Sequence, residues 1–447
     1  MADDGGDSLR LELPQHDETE VGNYFVSNYP PFSLWTPQQV GELEAQLDSP
    51  AGADRPLGMY VHIPFCRKRC HFCYFRVYTD QNSKAIGAYL DAVIEEAAMM
   101  GRRAYVAGRP LQFVYFGGGT PSYLSVKQLA YLLDGLKRAL PWEQVKEVAF
   151  ECEPGTLNEN KLNAIAELGV TRLSLGIENF SDEVLKLNNR AHESKEVFRA
   201  YEWARSAGFE QINIDLIAGM LGETEANWSA CIDQALRLRA DVVTIYQMEV
   251  PYNTTIYQQM KAAGEIEAPV ADWSTKRRWV SEAFDALEGA GYSIGSAYTA
   301  VKDAAASRFV YRDALWSGSD MLGVGVSSFG LLGGVHYQNQ HDIVPYVSAA
   351  AGGESPVYRA MRMSDEDQLV RRFVLQMKLG RISRRPFMEA FGVDIFERWR
   401  DVLEGYARDG LLTIDGDELR LTRDGLLQAD RLLHAFFEPQ HRGVRYA

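Results

Sequence analysis

From residue 58 onward the chain repeats one unit, a short apolar run followed by a turn and a longer amphipathic stretch. The apolar runs cover 59–63, 112–116, 147–152, 172–176, 211–217 and 242–247. The amphipathic stretches between them cover 84–100, 126–139, 161–168, 195–207 and 225–237. Strict alternation of strand and helix predicts an α/β protein with parallel strands joined by crossover helices. Six units in one row predict a partial (β/α)6 barrel, open on one side, rather than the closed eightfold form. Ligands of such a sheet bind at the carboxyl ends of its strands. Chemistry-bearing residues should therefore cluster there.

The same reading divides the rest of the chain. Residues 1–21 are acidic and polar without periodicity, the pattern of a disordered tail. Residues 22–55 form an N-terminal arm. Its Tyr24, Phe25, Tyr29, Phe32 and Trp35 are too apolar for a free tail, so the arm either packs on the barrel exterior or reaches the barrel mouth. The barrel is expected over 56–345, with a helix at 273–287, a strand at 292–297 and a glycine-rich return at 323–330. Residues 360–440 read as a small winged-helix-like unit: helices, then strands at 411–414 and 419–421 flanking Asp415-Gly416. Its Arg371, Arg372, Lys378, Arg381, Arg384 and Arg385 read as a solvated helix face.

The net charge of −15 argues against a nucleic-acid partner, which needs a basic surface to engage phosphates. No apolar run is long enough to span a bilayer, and no secretory signal opens the chain, so a cytoplasmic protein is expected.

Three of the five cysteines, Cys66, Cys70 and Cys73, share C-x3-C-x2-C spacing immediately after the first apolar run. Three thiolates so close together can hold three irons of a cubane cluster and leave the fourth open to a small molecule. Structural zinc usually takes two short-spaced ligand pairs. Here no second pair exists, although His62 or His71 could serve as a fourth ligand; Cys152 and Cys231 stand alone.

The cysteine spacing, the Tyr-Val-His-Ile-Pro-Phe strand before it and the aromatic residue after Cys73 resemble the radical S-adenosylmethionine (SAM) enzymes. Within them the chain resembles the oxygen-independent coproporphyrinogen III oxidase family over nearly its whole length. The resemblance implies a 4Fe–4S cluster on the three cysteines, with SAM on the open iron and its reductive cleavage to methionine and a 5′-deoxyadenosyl radical. It also implies an electron donor such as flavodoxin or ferredoxin, and a small-molecule substrate of the tetrapyrrole class.

The later strand ends carry the remaining motifs. In Gly117-Gly-Gly-Thr-Pro121, successive glycines let backbone groups approach a ligand closely. By resemblance Gly118 and Glu151 contact the cluster-bound SAM. Asp215 lies in an apolar run and is costly to bury without a partner. It could pair with Arg190, as could Glu178. By resemblance Glu178, Arg190, Asp215, Gly119, Thr120 and Met248 contact a second SAM, while Tyr60 and Phe329 line the adenosine side. Glu178 and Arg190 are the residues expected to act in catalysis, and Glu153 is expected to be a solvated loop residue.

Two positions depart from the family pattern: Phe75 stands where the oxidases carry a further cysteine, and Glu178 where they carry glutamine. A carboxylate at 178 changes the charge presented to a second sulfonium. The expected reaction is oxidative decarboxylation of a propionate, with Arg67, Lys68, Arg69, Arg308 and Arg312 as cations near the mouth. The alternatives are a methyl-transferring or cyclopropane-forming relative that uses the second SAM as carbon donor, and a haem-binding chaperone of the same fold.

Overall fold

The computed structural model describes residues 23–52, 55–263 and 270–442. The acidic tail expected over 1–21 lies outside the described residues. Six parallel strands, β1 (Leu57–Ile63), β2 (Leu111–Gly118), β3 (Glu147–Cys152), β4 (Arg172–Glu178), β5 (Gln211–Ala218) and β6 (Val242–Gln247), pair in sequence order. After the arm helix α1 (Val40–Asp48), the crossovers run through α2 (Ser83–Gly101), α3 (Val126–Ala139), α4 (Glu159–Glu167), α5 (Asp182–Leu187), α6 (Ser194–Ala207) and α7 (Glu225–Leu238). The partial barrel expected from the alternation is what forms.

Local chemistry explains the crossover helices. Asn82, Ser125, Asn158 and Thr224 cap α2, α3, α4 and α7 by accepting from backbone N–H groups of the first turn. On α3, Leu129, Leu132, Leu133 and Leu136 form one buried stripe. Gly135 lets α3 approach α2, since a Cβ there would lie 2.4 Å from Ile94 Cδ1.

The sheet is wider than the six predicted strands. On the β6 side, β7 (Ser293–Ile294) and β8 (Thr299–Val301) add as an antiparallel hairpin. The single strand expected over 292–297 is therefore cut to Ser293–Ile294, and its partner β8 begins beyond it. A turn closed by Gly295 N–H donating to the Thr299 carbonyl at 2.8 Å interrupts it. On the other side β9 (Asp320–Val324) runs parallel to β1, followed by antiparallel β10 (Phe329–Leu332), β11 (Val335–Asn339) and β12 (Val357–Arg362). Twelve strands result. Gly333 and Gly334, with φ of 56° and 81°, make the two-residue β10–β11 turn that side-chain-bearing residues resist.

The helices α8 (Thr255–Ala263), α9 (Trp273–Gly289), α10 (Val310–Trp316) and α11 (Ile343–Ala351) lead to α12 (Asp365–Met377). The C-terminal unit then adds a three-stranded sheet of β13 (Arg381–Ser383), β14 (Leu412–Asp415) and β15 (Glu418–Leu421). Phe373 of α12 centres its core, with Trp399 at 4.2 Å and Phe436 at 4.8 Å between ring centroids. Val26 and Tyr29 of the arm belong to this same core.

Two of the six basic residues leave the expected solvated face, while Arg381 and Arg385 stay exposed on it. Lys378 and Arg371 are buried, at 0% and 4% exposure. Their helix is enclosed between the arm and the small sheet. Lys378 Nζ donates to the Val26 carbonyl at 2.7 Å and pairs with Asp430 at 3.2 Å. Asp430 in turn accepts from Val26 N–H at 2.8 Å and from the Tyr298 hydroxyl. A buried charge persists only when paired in this way.

Candidate active site

The cysteine loop leaves the carboxyl end of β1 and is pinned from several sides. Arg69 Nη2 donates to the carbonyls of Cys73 at 3.2 Å and Asn253 at 3.0 Å. Arg67 forms a bidentate pair with Glu153, both bonds at 3.0 Å, and reaches the Ala191 carbonyl at 2.8 Å. Glu153 is thus not solvated. Burial opposes its charge, yet His192 and Arg67 hold its carboxyl down at about 2. Arg67 and Arg69 are consumed in holding the loop, and Arg312 pairs with Asp313 at 2.8 Å. Of the cations expected at the mouth, Lys68 and Arg308 are exposed.

The thiols suit a cluster. All five cysteines are free. Thr120 Oγ1 donates to Cys66 Sγ and Arg190 Nη1 to Cys70 Sγ, each at 3.3 Å. Burial pushes the Cys66 thiol up to about 11 and Cys73 to about 12, so a cationic partner is needed to hold them as thiolates. Among the described residues no three His, Cys, Asp or Glu side chains gather to hold a single metal ion. The proposed fourth zinc ligands are placed otherwise. His71 Nδ1 lies 3.0 Å from the Leu187 carbonyl, and His62 Nδ1 lies 3.1 Å from the Tyr60 hydroxyl.

Beside this loop, the end of β2 folds tightly over His62. Gly118 has φ of 108°, and a Cβ there would lie 2.4 Å from the His62 ring. Only glycine fits. Burial lowers the His62 pKa to about 4, so the ring is neutral, and its Nε2 is buried without a hydrogen-bond partner among the described residues. Glu151, at the end of β3, accepts from Gly118 N–H at 3.1 Å and the Tyr115 hydroxyl at 2.6 Å. Burial, with nearby Asp215, raises its carboxyl to about 7 despite those bonds.

The ends of β4 to β6 carry the other group. Glu178 has φ of 66°, an unfavourable conformation for a side-chain-bearing residue, at an irregularity in the β4–β5 register. Burial raises its carboxyl to about 7, and Arg190 opposes the shift. Arg190 pairs with Glu178 at 3.5 Å and donates to the Gly176 carbonyl at 2.5 Å. Asp215 is held instead by Ser174 at 2.7 Å and Asn213 at 2.9 Å. Of the two ion pairs open from sequence, the Arg190–Glu178 pair forms. Met248 is buried, its carbonyl fixed by Lys276 Nζ at 2.9 Å.

The arm reaches this end of the barrel. Phe32 stacks on Phe329 at 4.4 Å, and Phe25 meets Tyr246 and Tyr298 edge-on at 6.3 and 5.4 Å. Tyr74, Phe75 and Tyr246 keep 44, 39 and 40% of their surface exposed. Burial nevertheless raises the Tyr74 and Tyr246 hydroxyls well above the usual value. With Tyr74 4.5 Å from Phe75 and Phe75 6.4 Å from His62, these rings form the open aromatic chamber of the barrel mouth beside the cysteine loop. Its inner wall is a stack in which Tyr115 lies 6.0 Å from Tyr60 and 4.4 Å from Tyr311. Sequence reasoning missed Tyr115, Tyr311 and Phe309. Tyr115 could have been found from its position in β2, three residues before Gly118. Phe309 and Tyr311 lie at the start of α10, a seven-residue helix too short for a period to show, fixed where Glu147 accepts from the N–H groups of Val310 and Tyr311.

Comparison with known proteins agrees with this geometry. The radical SAM superfamily profile matches residues 60–235, and that of the HemN C-terminal domain matches 363–427. The chain is 30% identical over 379 residues to the haem chaperone HemW of Bacillus subtilis, covering 84% of this chain and 98% of that one. It is 28% identical over 390 residues to the oxygen-independent coproporphyrinogen III oxidase of Escherichia coli, covering 84% of each. The solved structure of coproporphyrinogen III oxidase (HemN) from E. coli superposes with a TM-score of 0.78 at 24% identity, over 92% of this chain and 96% of that one. No described helix is long and apolar enough to cross a membrane. The chain belongs to the radical SAM superfamily, within the HemN-like family of oxygen-independent coproporphyrinogen III oxidases and their relatives, and its cofactors are a 4Fe–4S cluster and SAM.

Proposed function

We propose that this protein oxidatively decarboxylates a propionate side chain of a tetrapyrrole, leaving a vinyl group and releasing carbon dioxide. The observation that carries this reading is the aromatic chamber beside the cysteine loop, whose accessible rings Tyr74, Phe75 and Tyr246 suit a flat, apolar macrocycle. The 28% identity to coproporphyrinogen oxidases supports the same substrate class.

In this reading Cys66, Cys70 and Cys73 hold the cluster. The cluster with SAM would supply the radical chemistry that removes a hydrogen atom from the substrate. Gly118 and Glu151 orient the amino-acid and ribose groups of SAM, Tyr60 and Phe329 flank its adenosine, and the arm with Phe32 and Phe25 keeps water from the chamber. Gly119, Thr120, Glu178, Arg190, Asp215 and Met248 border the space for a second SAM. The left-handed Glu178 is strain of the kind that collects at ligand sites. The electron left by decarboxylation passes to a one-electron acceptor, and a small flavodoxin- or ferredoxin-type protein reduces the cluster. The protein works in the cytoplasm.

Anaerobic reconstitution with iron, sulfide, dithionite and SAM, followed by product analysis with coproporphyrinogen III, tests the reading. A vinyl product and carbon dioxide are expected. A methylated product with S-adenosylhomocysteine would replace it with methyl transfer, the reading that Phe75 and Glu178 favour. The 30% identity to a haem chaperone favours haem carriage; tight haem binding without substrate turnover would establish that instead.

A further inference from the structure

The register of the sheet extension places one more cation on the chamber side. In β10, β11 and β12, Phe329 lies opposite Gln338, and Gln338 lies opposite Arg359. Directly opposed residues share a face, so these three form one row across the strands. Because β9 runs parallel to β1 and β10 reverses it, the row lies at the end of the sheet that carries the cysteine loop. Phe329 borders the arm through Phe32. Adjacent strands stand about 4.8 Å apart, which puts Arg359 roughly 10 Å beyond Phe329 along the mouth.

Arg359 is prepared for an anion. Its Nε donates to Gln338 Oε1 at 2.7 Å, which orients the guanidinium plane and leaves both Nη groups without a hydrogen bond among the described residues. Among the described residues it forms no ion pair. Arg362, three residues on and facing the other way, pairs with Glu42 at 2.6 Å. Arg359 is partly buried, and burial lowers its pKa. The cations first expected to receive substrate carboxylates are largely occupied, Arg67 by Glu153 and Arg312 by Asp313.

We propose that Arg359, oriented by Gln338, is the anchoring fork for a substrate carboxylate remote from the reacting one. A planar guanidinium matches a carboxylate with two parallel hydrogen bonds, and a site already aligned loses little entropy on binding. The distance from Phe329 suits a large, multiply carboxylated substrate. The assignment rests on the tetrapyrrole reading for its substrate class, not for the carboxylate itself.

The test titrates the full, reconstituted chain anaerobically with coproporphyrin III, which carries four carboxylates, and with its tetramethyl ester, which carries none. Cluster absorbance and melting temperature check that each variant is folded. Arg359→Gln should weaken binding of the acid by about ten- to a hundredfold and leave the ester unchanged. Arg359→Lys, a point charge without the fork, should fall between. Equal binding of the acid by wild type and Arg359→Gln overturns the assignment and leaves the tetrapyrrole reading standing. If Arg359→Gln does not fold, Arg359→Lys decides, and wild-type affinity in it overturns the fork. If the wild type binds neither compound, the tetrapyrrole reading fails. Sodium propionate against sodium chloride at matched ionic strength then decides the site: a thermal shift lost in Arg359→Gln retains it, and no shift ends it.

Discussion

The two halves of the barrel mouth treat their charges differently. In the β1–β3 half, Glu151 meets only neutral donors, Gly118 N–H and the Tyr115 hydroxyl, and His62 keeps an orphaned Nε2. In the β4–β6 half, Glu178 is paired with Arg190, and Asp215 is enclosed by Ser174 and Asn213. The first half holds a carboxyl without a cationic partner, as a site for one cationic ligand should. The second already carries its own cation in Arg190, whose Nε has no hydrogen-bond partner among the described residues, so a cationic ligand there meets a charge already paired. The two halves also meet, because Arg190 bonds Cys70 as well as Glu178. An Arg190 variant would therefore disturb both, and Glu178 is the better probe of the second half.

The largest effect should come from the cluster ligands. Cys70→Ala should abolish 5′-deoxyadenosine formation by the reconstituted protein; persistent formation would remove the basis of the contrast. Next comes Glu151→Gln, expected to raise the KM for SAM by about tenfold or more through loss of a charge-assisted bond. With the Glu151 carboxyl raised to about 7, wild-type affinity for SAM should improve as pH rises through that value. That dependence should flatten in Glu151→Gln.

Glu178→Gln should act more weakly and elsewhere, lowering product relative to 5′-deoxyadenosine by a few-fold. A proportional fall in both would show that the two halves serve one ligand. Stability supplies a finer measure. Burial raises the Glu178 carboxyl from 4.5 to about 7, so its favourable contribution is complete below 4.5 and is lost as pH rises through 7. Between those limits the wild type should lose about 1–3 kcal/mol that Glu178→Gln retains, read as the difference between their melting temperatures against pH. The smallest effect belongs to Asp215→Asn. Replacing one acceptor among neutral donors should cost about 1 kcal/mol in denaturant unfolding. A cost several times larger would mean that Asp215 works as a charge.

The parallel core was legible because each β–α unit repeats the same two periodicities. The strand expected at 147–152 is β3 to the residue. The cysteine loop was legible because its ligands lie within eight positions of one another. The antiparallel additions were less so, since β7 and β8 have only two and three residues, too few for a period to show. The aromatic arm could be recognised as packed from composition, but not where it packed.

Amino-acid order alone determined the repeating strand–helix frame, the spacing of three thiols and the glycine run after the second strand. These are local properties, set by backbone conformation and near neighbours. Tertiary structure decided that Arg67 closes on Glu153, 86 residues away, that Lys378 is buried against Val26, 352 residues away, and that Arg359 faces the chamber. A charged side chain can be solvated, paired or aimed at a ligand with the same sequence around it. Only the partners that folding brings within hydrogen-bond reach select among these states.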